Sequence, residues 1–189
     1  MKQGTYMVLF FIILVYFSSC KQELNNADYK RITRIDSLLT SQPDAVLDSL
    51  KLINLNQLSH YNKAYCQLLE VIAKDKTYFN FTTDSLINLT VDELFSYKTK
   101  HPESYVRALI YQGIVRYRMK INDSTAYQPL KEALRILHEM ASPDLRSRYL
   151  CLYYLGEIHD KNNNIKLAKN YYIRIYYEVV LTFRNNSLF

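Results

Sequence analysis

Glycine is close to absent from this chain of 189 residues, with only three positions. Gly4 lies near the start, and Gly113 and Gly156 fall inside apolar stretches rather than in turns. The chain therefore carries no P-loop, no dinucleotide-binding glycine run and no nucleophile elbow, all of which need closely spaced glycines. Cysteine is equally scarce, at three. Cys66 and Cys151 each sit on an apolar helical stripe and read as small buried hydrophobes rather than a bridge or a metal pair. The four histidines (His60, His101, His138, His159) are scattered, none beside another histidine or a cysteine at metal-ligand spacing. His159 lies on an apolar face and reads as a packed side chain. No catalytic residue, metal or cofactor is expected, and an enzyme is the disfavoured reading.

Long apolar runs are also rare. One stands out, the twelve residues Tyr6 to Phe17 (YMVLFFIILVYF). A membrane-spanning helix needs roughly 20 apolar residues, whereas the core of a secretory signal takes ~7–15. Phe17-Ser18-Ser19-Cys20 follows, and the chain then turns polar at Lys21-Gln22-Glu23. This resembles the lipobox of bacterial lipoproteins, with Phe17 standing where leucine is usual. The resemblance implies a signal peptide over 1–19 and a Cys20 that is acylated as the new N-terminus. It also implies export to the cell envelope, on the periplasmic face or in the outer membrane. An uncleaved signal anchor, or an ordinary secretory signal with a chance cysteine, is the alternative.

Beyond the signal, 170 residues remain, enough for one domain, and 49% apolar content with 22% charge supports a packed core. The net charge of +6 falls to +5 once Lys2 leaves with the signal. A basic balance suits nucleic acid, but an exported lipoprotein does not meet the chromosome. An anionic membrane surface or an acidic peptide is the expected counterpart.

Strand signals are nearly absent and helix signals recur throughout, so the fold class is all-α. Stretches with helical spacing run from Ala27 to Leu39, Ala45 to Ile53, Leu86 to Tyr97, Ala126 to Leu137 and Ile165 to Tyr177. Three more surround Ala64–Ile72, Val106–Tyr117 and Tyr149–Gly156. Pro43, Thr83-Asp84, His101-Pro102, Asp123-Ser124 and Ser142-Pro143 mark starts, with Ser142 expected as an N-cap. Tyr149, Tyr153, Tyr172 and Tyr176 fit core positions at this spacing.

A mid-helix glycine costs about 1 kcal/mol relative to alanine, so Gly113 and Gly156 imply helices passing close to their backbones. Leu152-x2-Leu155-Gly156-x2-His159, followed by Ala168-x3-Tyr172, resembles the tetratricopeptide (TPR) repeat. The preceding unit reads Leu109-x3-Gly113, then Ala126-x3-Leu130-x2-Ala133, and an earlier, degenerate unit begins at Ala64 with Leu69 in the glycine position. First helices recur at Ala64, Ala108 and Cys151, a period of 44 and then 43 residues, longer than the ~34 of the family. The resemblance covers roughly residues 40–180. It implies antiparallel helix pairs stacked as a short right-handed solenoid, with repeat-core positions at Gly113, Ala126, Leu152, Leu155, Gly156, Ala168 and Tyr172. A non-repeating helical bundle is the alternative. The implied layout is a tether and first helix over 20–42, the repeat domain over 43–183 and a tail over 184–189.

In TPR arrays the first helix of each pair lines a groove that holds a peptide or a partner helix. The corresponding residues here are Lys63, Gln67, Lys74, Arg107, Tyr111, Arg118, Tyr154, Glu157 and Lys161. Basic groups with tyrosines suit a carboxylate-bearing ligand with an apolar anchor, although a solvated helix face has the same composition. Asp36-Ser37-Leu38, Asp48-Ser49-Leu50, Asp84-Ser85-Leu86 and Asp123-Ser124-Thr125 resemble an O-glycosylation motif of exported Gram-negative proteins, or equally a helix start. The favoured function is a lipid-anchored scaffold or adaptor binding a protein or peptide partner of acidic character. The rivals are a truncated sensor region of a membrane signalling or transcription-regulatory protein, and a glycan-binding envelope lipoprotein.

Overall fold

A computed structural model describes residues 27–142 and 144–180. The expected signal (1–19), Cys20 and the 184–189 tail lie outside the described residues. Within them the chain is all-α, with no strand. The helices are α1 (Ala27–Ser37), α2 (Pro43–Lys51), α3 (His60–Lys76), α4 (Ser85–Phe95), α5 (Pro102–Arg118), α6 (Ser124–Glu139), α7 (Leu145–Lys161) and α8 (Ile165–Ile175). A 3-10 turn (Leu55–Gln57) precedes α3, and a π turn (Tyr176–Val180) extends α8. No helix among the described residues is long and apolar enough to cross a membrane.

Each helix packs on the next, and the odd-numbered helices also pack on one another, α1 on α3, α3 on α5 and α5 on α7. Local chemistry fixes the starts. Pro43 and Pro102 occupy first-turn positions, where a missing N–H leaves nothing unsatisfied. The Ser59 hydroxyl caps α3 and the Asp123 carboxylate caps α6. α7 departs from expectation, because its N-cap is Asp144 rather than Ser142. The Asp144 carboxylate accepts from the backbone N–H of Arg146 (3.2 Å) and of Ser147 (3.0 Å). One anion thereby satisfies two amides and complements the helix dipole, which a serine does less well.

The three 17-residue helices, α3, α5 and α7, end alike. Tyr78 (φ 58°), Lys120 (φ 65°) and Asn163 (φ 59°) adopt the left-handed conformation just past each C-terminus. The next amide then bonds back five residues: Phe79 to Lys74 O (2.9 Å), Ile121 to Arg116 O (2.9 Å) and Asn164 to His159 O (2.8 Å). Glycine usually fills this position because it lacks a Cβ. This glycine-poor chain uses a tyrosine, a lysine and an asparagine instead.

Its two helical glycines are placed where space runs out. A Cβ on Gly113 would lie 2.6 Å from Leu130 Cγ and 2.9 Å from the backbone oxygen of Ala126. On Gly156 it would lie 2.5 Å from the Tyr172 ring. Ala126 is fully buried and Ala168 nearly so, as α6 crosses α5 and α8 crosses α7. Leu152 and Leu155 are fully buried as well. Two expected core tyrosines are not in the core: Tyr149 is 39% and Tyr176 54% exposed. Tyr149 stacks on Tyr153 at the surface, with ring centroids 5.9 Å apart.

Pro129 lies inside α6 and leaves the carbonyl of Thr125, four residues back, without its helical partner. Arg116 supplies one, with Nη1 donating to Thr125 O at 2.7 Å. The same guanidinium donates to Asp84 (2.7 Å) and Asn88 (2.9 Å), tying α5 to α4 and α6 together.

Candidate functional site

The odd-numbered helices and the turn after α1 line an open cavity of about 450 Å³. Leu39, Ile72, Ile110 and Leu150 supply its apolar lining, and Asp36, Lys76, Arg107, Tyr111, Asp144 and Arg146 its polar groups. That volume is within the ordinary range for small-molecule pockets.

Its central feature joins α1 to α5 across 71 residues of sequence. Arg107 grips Asp36 with both terminal nitrogens, Nη1 to Oδ2 at 2.7 Å and Nη2 to Oδ1 at 2.8 Å. The Tyr65 hydroxyl of α3 donates to Oδ2 of the same carboxylate at 2.5 Å. Burial pushes the Asp36 carboxyl up, but the hydrogen bonds and charge of Arg107, helped by Tyr65, outweigh it and hold its pKa below the usual value. Burial also disfavours charge on Arg107, and Asp36 again prevails, raising its pKa. A second link binds the turn after α1 to α7, where Arg146 Nη1 donates to Thr40 Oγ1 at 2.9 Å.

A further chain of contacts flanks the cavity. Arg118 pairs with Asp75 (2.9 Å), and its Nη2 donates to the Tyr154 hydroxyl (3.2 Å), joining α3, α5 and α7. Burial raises the Tyr154 hydroxyl to about 12, with the Asp75 charge adding to it, so it stays protonated.

The nine groove candidates therefore divide. Arg107 and Tyr111 line the cavity, and Arg118 and Tyr154 lie in the contacts beside it. Glu157 bridges α5 and α8, accepting from Tyr117 and Tyr172, each at 2.9 Å. Lys63, Gln67, Lys74 and Lys161 are not among the residues lining the cavity. Gln67 is buried, Lys74 pairs with Glu70 (2.6 Å) over the Phe79 ring, and Lys161 is exposed. Of the five basic candidates, Arg107, Arg118 and Lys74 are thus neutralised within the chain. The face of α3 towards the cavity carries Ile72 and Lys76 instead.

Lys76 and Arg146 escape the sequence reading. Arg146 does leave a signal: a cation in the first turn of a helix opposes the dipole, which favours anions there. Neither residue is ion-paired among the described residues. Burial, and then the nearby Arg146 charge, lower the Lys76 pKa.

Other residues singled out in the sequence are buried or paired within the fold. Cys66 and Cys151 are free and buried, each thiol pushed up to about 12 chiefly by burial. His159 lies between Tyr127 (5.2 Å) and Tyr171 (5.6 Å) with both ring nitrogens buried. Three of the four Asp-Ser aspartates, Asp36, Asp48 and Asp84, are in ion pairs, with Arg107, Lys51 and Arg116. No group of acidic, histidine and cysteine side chains suited to a metal occurs among the described residues. No protein-family profile matches the chain, and no curated protein or solved structure matches it either.

Proposed function

We propose that this chain is a non-catalytic, lipid-anchored envelope protein whose TPR-like helix pairs present a binding face to a protein or peptide partner. The observation that carries the reading is the packing order. Every helix lies on its successor while α1, α3, α5 and α7 form a continuous layer, as stacked pairs in a solenoid do. The close crossings at Gly113 and Gly156 fit the same arrangement, and the cavity opens on that layer. Cys20, acylated after removal of 1–19, would tether this face to a membrane. Mass spectrometry of the mature N-terminus tests the anchor: a diacylglyceryl mass on Cys20, lost in Cys20→Ser, is expected.

A second reading, the sensor region of a membrane signalling or transcription-regulatory protein, is favoured by the outer face of α8. Ile165 (59% exposed), Ile173 (42%) and Tyr177 (61%) stand there uncovered. In a stack of helix pairs a following helix or a partner covers such a face. Sequencing the gene in frame beyond Phe189 separates the two, since continuation into a membrane span supports the sensor.

A further inference from the structure

The donors around the cavity are not all used. Arg107 spends both terminal nitrogens on Asp36, and Asp144 is occupied as the cap of α7, accepting from two amides and from the Ser147 hydroxyl (2.8 Å). Against these stand three unspent groups. The Lys76 ammonium has no ion pair among the described residues. Arg146 has given one N–H to the neutral Thr40 hydroxyl, which leaves four donors in its fork. The Tyr111 hydroxyl, at 6% residue exposure, has no hydrogen-bond partner among the described residues. With Asp36 and Asp144 as the acids and Lys76, Arg107 and Arg146 as the bases, the lining carries one net positive charge.

Lys76 and Arg146 line one cavity, and no carboxylate among the described residues forms a direct ion pair with either, so an anion seated there would gain from both charges. The same lining carries apolar surface, at Leu39, Ile72, Ile110 and Leu150. We infer that the cavity binds a small amphipathic oxyanion, a molecule with one carboxylate or phosphate head held by Lys76, Arg146 and Tyr111 and an apolar body against the leucines and isoleucines. An extended peptide suits it less, because the Asp36–Arg107 and Thr40–Arg146 links draw α1 and its following turn onto α5 and α7. The inference rests on the reading of this face as the binding face, and it replaces a long groove with a compact site.

Calorimetric titration of the full mature chain with octanoate, octyl phosphate, 1-octanol and inorganic phosphate tests it. The expected result is saturable one-to-one binding of octanoate or octyl phosphate, at least tenfold tighter than octanol or inorganic phosphate. Whichever of the two binds more tightly identifies the head group. Lys76→Gln/Arg146→Gln should reduce their affinity to that of octanol with its helical circular dichroism unchanged, and Tyr111→Phe should weaken it severalfold with an unchanged melting temperature. Anions binding no better than octanol, or a double variant that binds as wild type does, would overturn the proposal. Photo-cross-linking from Ser37 separates its failure from that of the partner reading. Face-specific adducts without anion binding sink the small-molecule site alone, and anion binding without adducts sinks the partner alone.

Discussion

Gly113 and the backbone oxygen of Ala126 approach so closely that a Cβ on the glycine would lie 2.9 Å from that oxygen. Backbone cannot swing aside as a side chain can, and Leu130 closes the other side at 2.6 Å. Gly113→Ala gains about 1 kcal/mol of helix propensity but must force α5 and α6 apart. A net loss of about 1–2 kcal/mol is expected from such overpacking. At Gly156 the obstacle is the Tyr172 ring, which can rotate at the cost of its bond to Glu157, so Gly156→Ala should cost less. Urea denaturation of both variants gives the order.

Asp36 and Arg107 are largely withdrawn from water, their side chains 22% and 27% exposed. Asp36→Asn should destabilise the fold by about 2–3 kcal/mol, because a partly buried guanidinium loses its counter-charge. The pH dependence follows from the lowered Asp36 pKa. A carboxyl whose folded pKa lies below its unfolded value (about 3.9) adds stability above that value and loses it as pH falls through the folded pKa. Wild type should therefore lose more stability than Asp36→Asn between about pH 5 and pH 2, as read by thermal melts across that range.

Arg116 and Pro129 are coupled through one carbonyl. Arg116→Met removes the donor that satisfies Thr125 O. In a Pro129→Ala background the restored helical N–H takes over that carbonyl, so the arginine should matter less. A double-mutant cycle is expected to give a coupling of about 1 kcal/mol.

Much of this fold was legible in sequence because its signals are local. Helical spacing, Pro43 and Pro102 at helix starts and the Gly113/Ala126 and Gly156/Ala168 pairs depend on residues close in the chain or on one face. The cavity was not legible, because its links join Asp36 to Arg107 and Thr40 to Arg146, 71 and 106 residues apart. Periodicity shows that a helix has two faces but not which neighbour each one meets. In α3 the groove was therefore assigned to Lys63, Gln67 and Lys74, whereas Ile72 and Lys76 line the cavity. Pro129 lies within the stretch read as helical, Ala126 to Leu137, but the partner that Arg116 gives to the freed carbonyl comes from another helix and is not visible in the local pattern.

Left-handed Lys120 offers a stabilising change. Glycine adopts its φ of 65° without Cβ strain, and an L-residue pays about 1 kcal/mol there. Lys120→Gly should raise stability by about 0.5–1 kcal/mol after the extra unfolded-state freedom of glycine is subtracted. A shift in the urea midpoint at constant slope reads this directly.

The central claim, that the odd-numbered helices form the binding face, is tested most directly by photo-cross-linking in living cells. Benzoylphenylalanine would replace Ser37 or Leu150 beside the cavity, and Leu89 or Lys131 on the even-numbered helices as controls. The account predicts discrete adducts from Ser37 and Leu150 that vanish in Lys76→Glu/Arg146→Glu, with none from Leu89 or Lys131. Equal adducts from both sets of positions, or adducts from Leu89 and Lys131 alone, would contradict it.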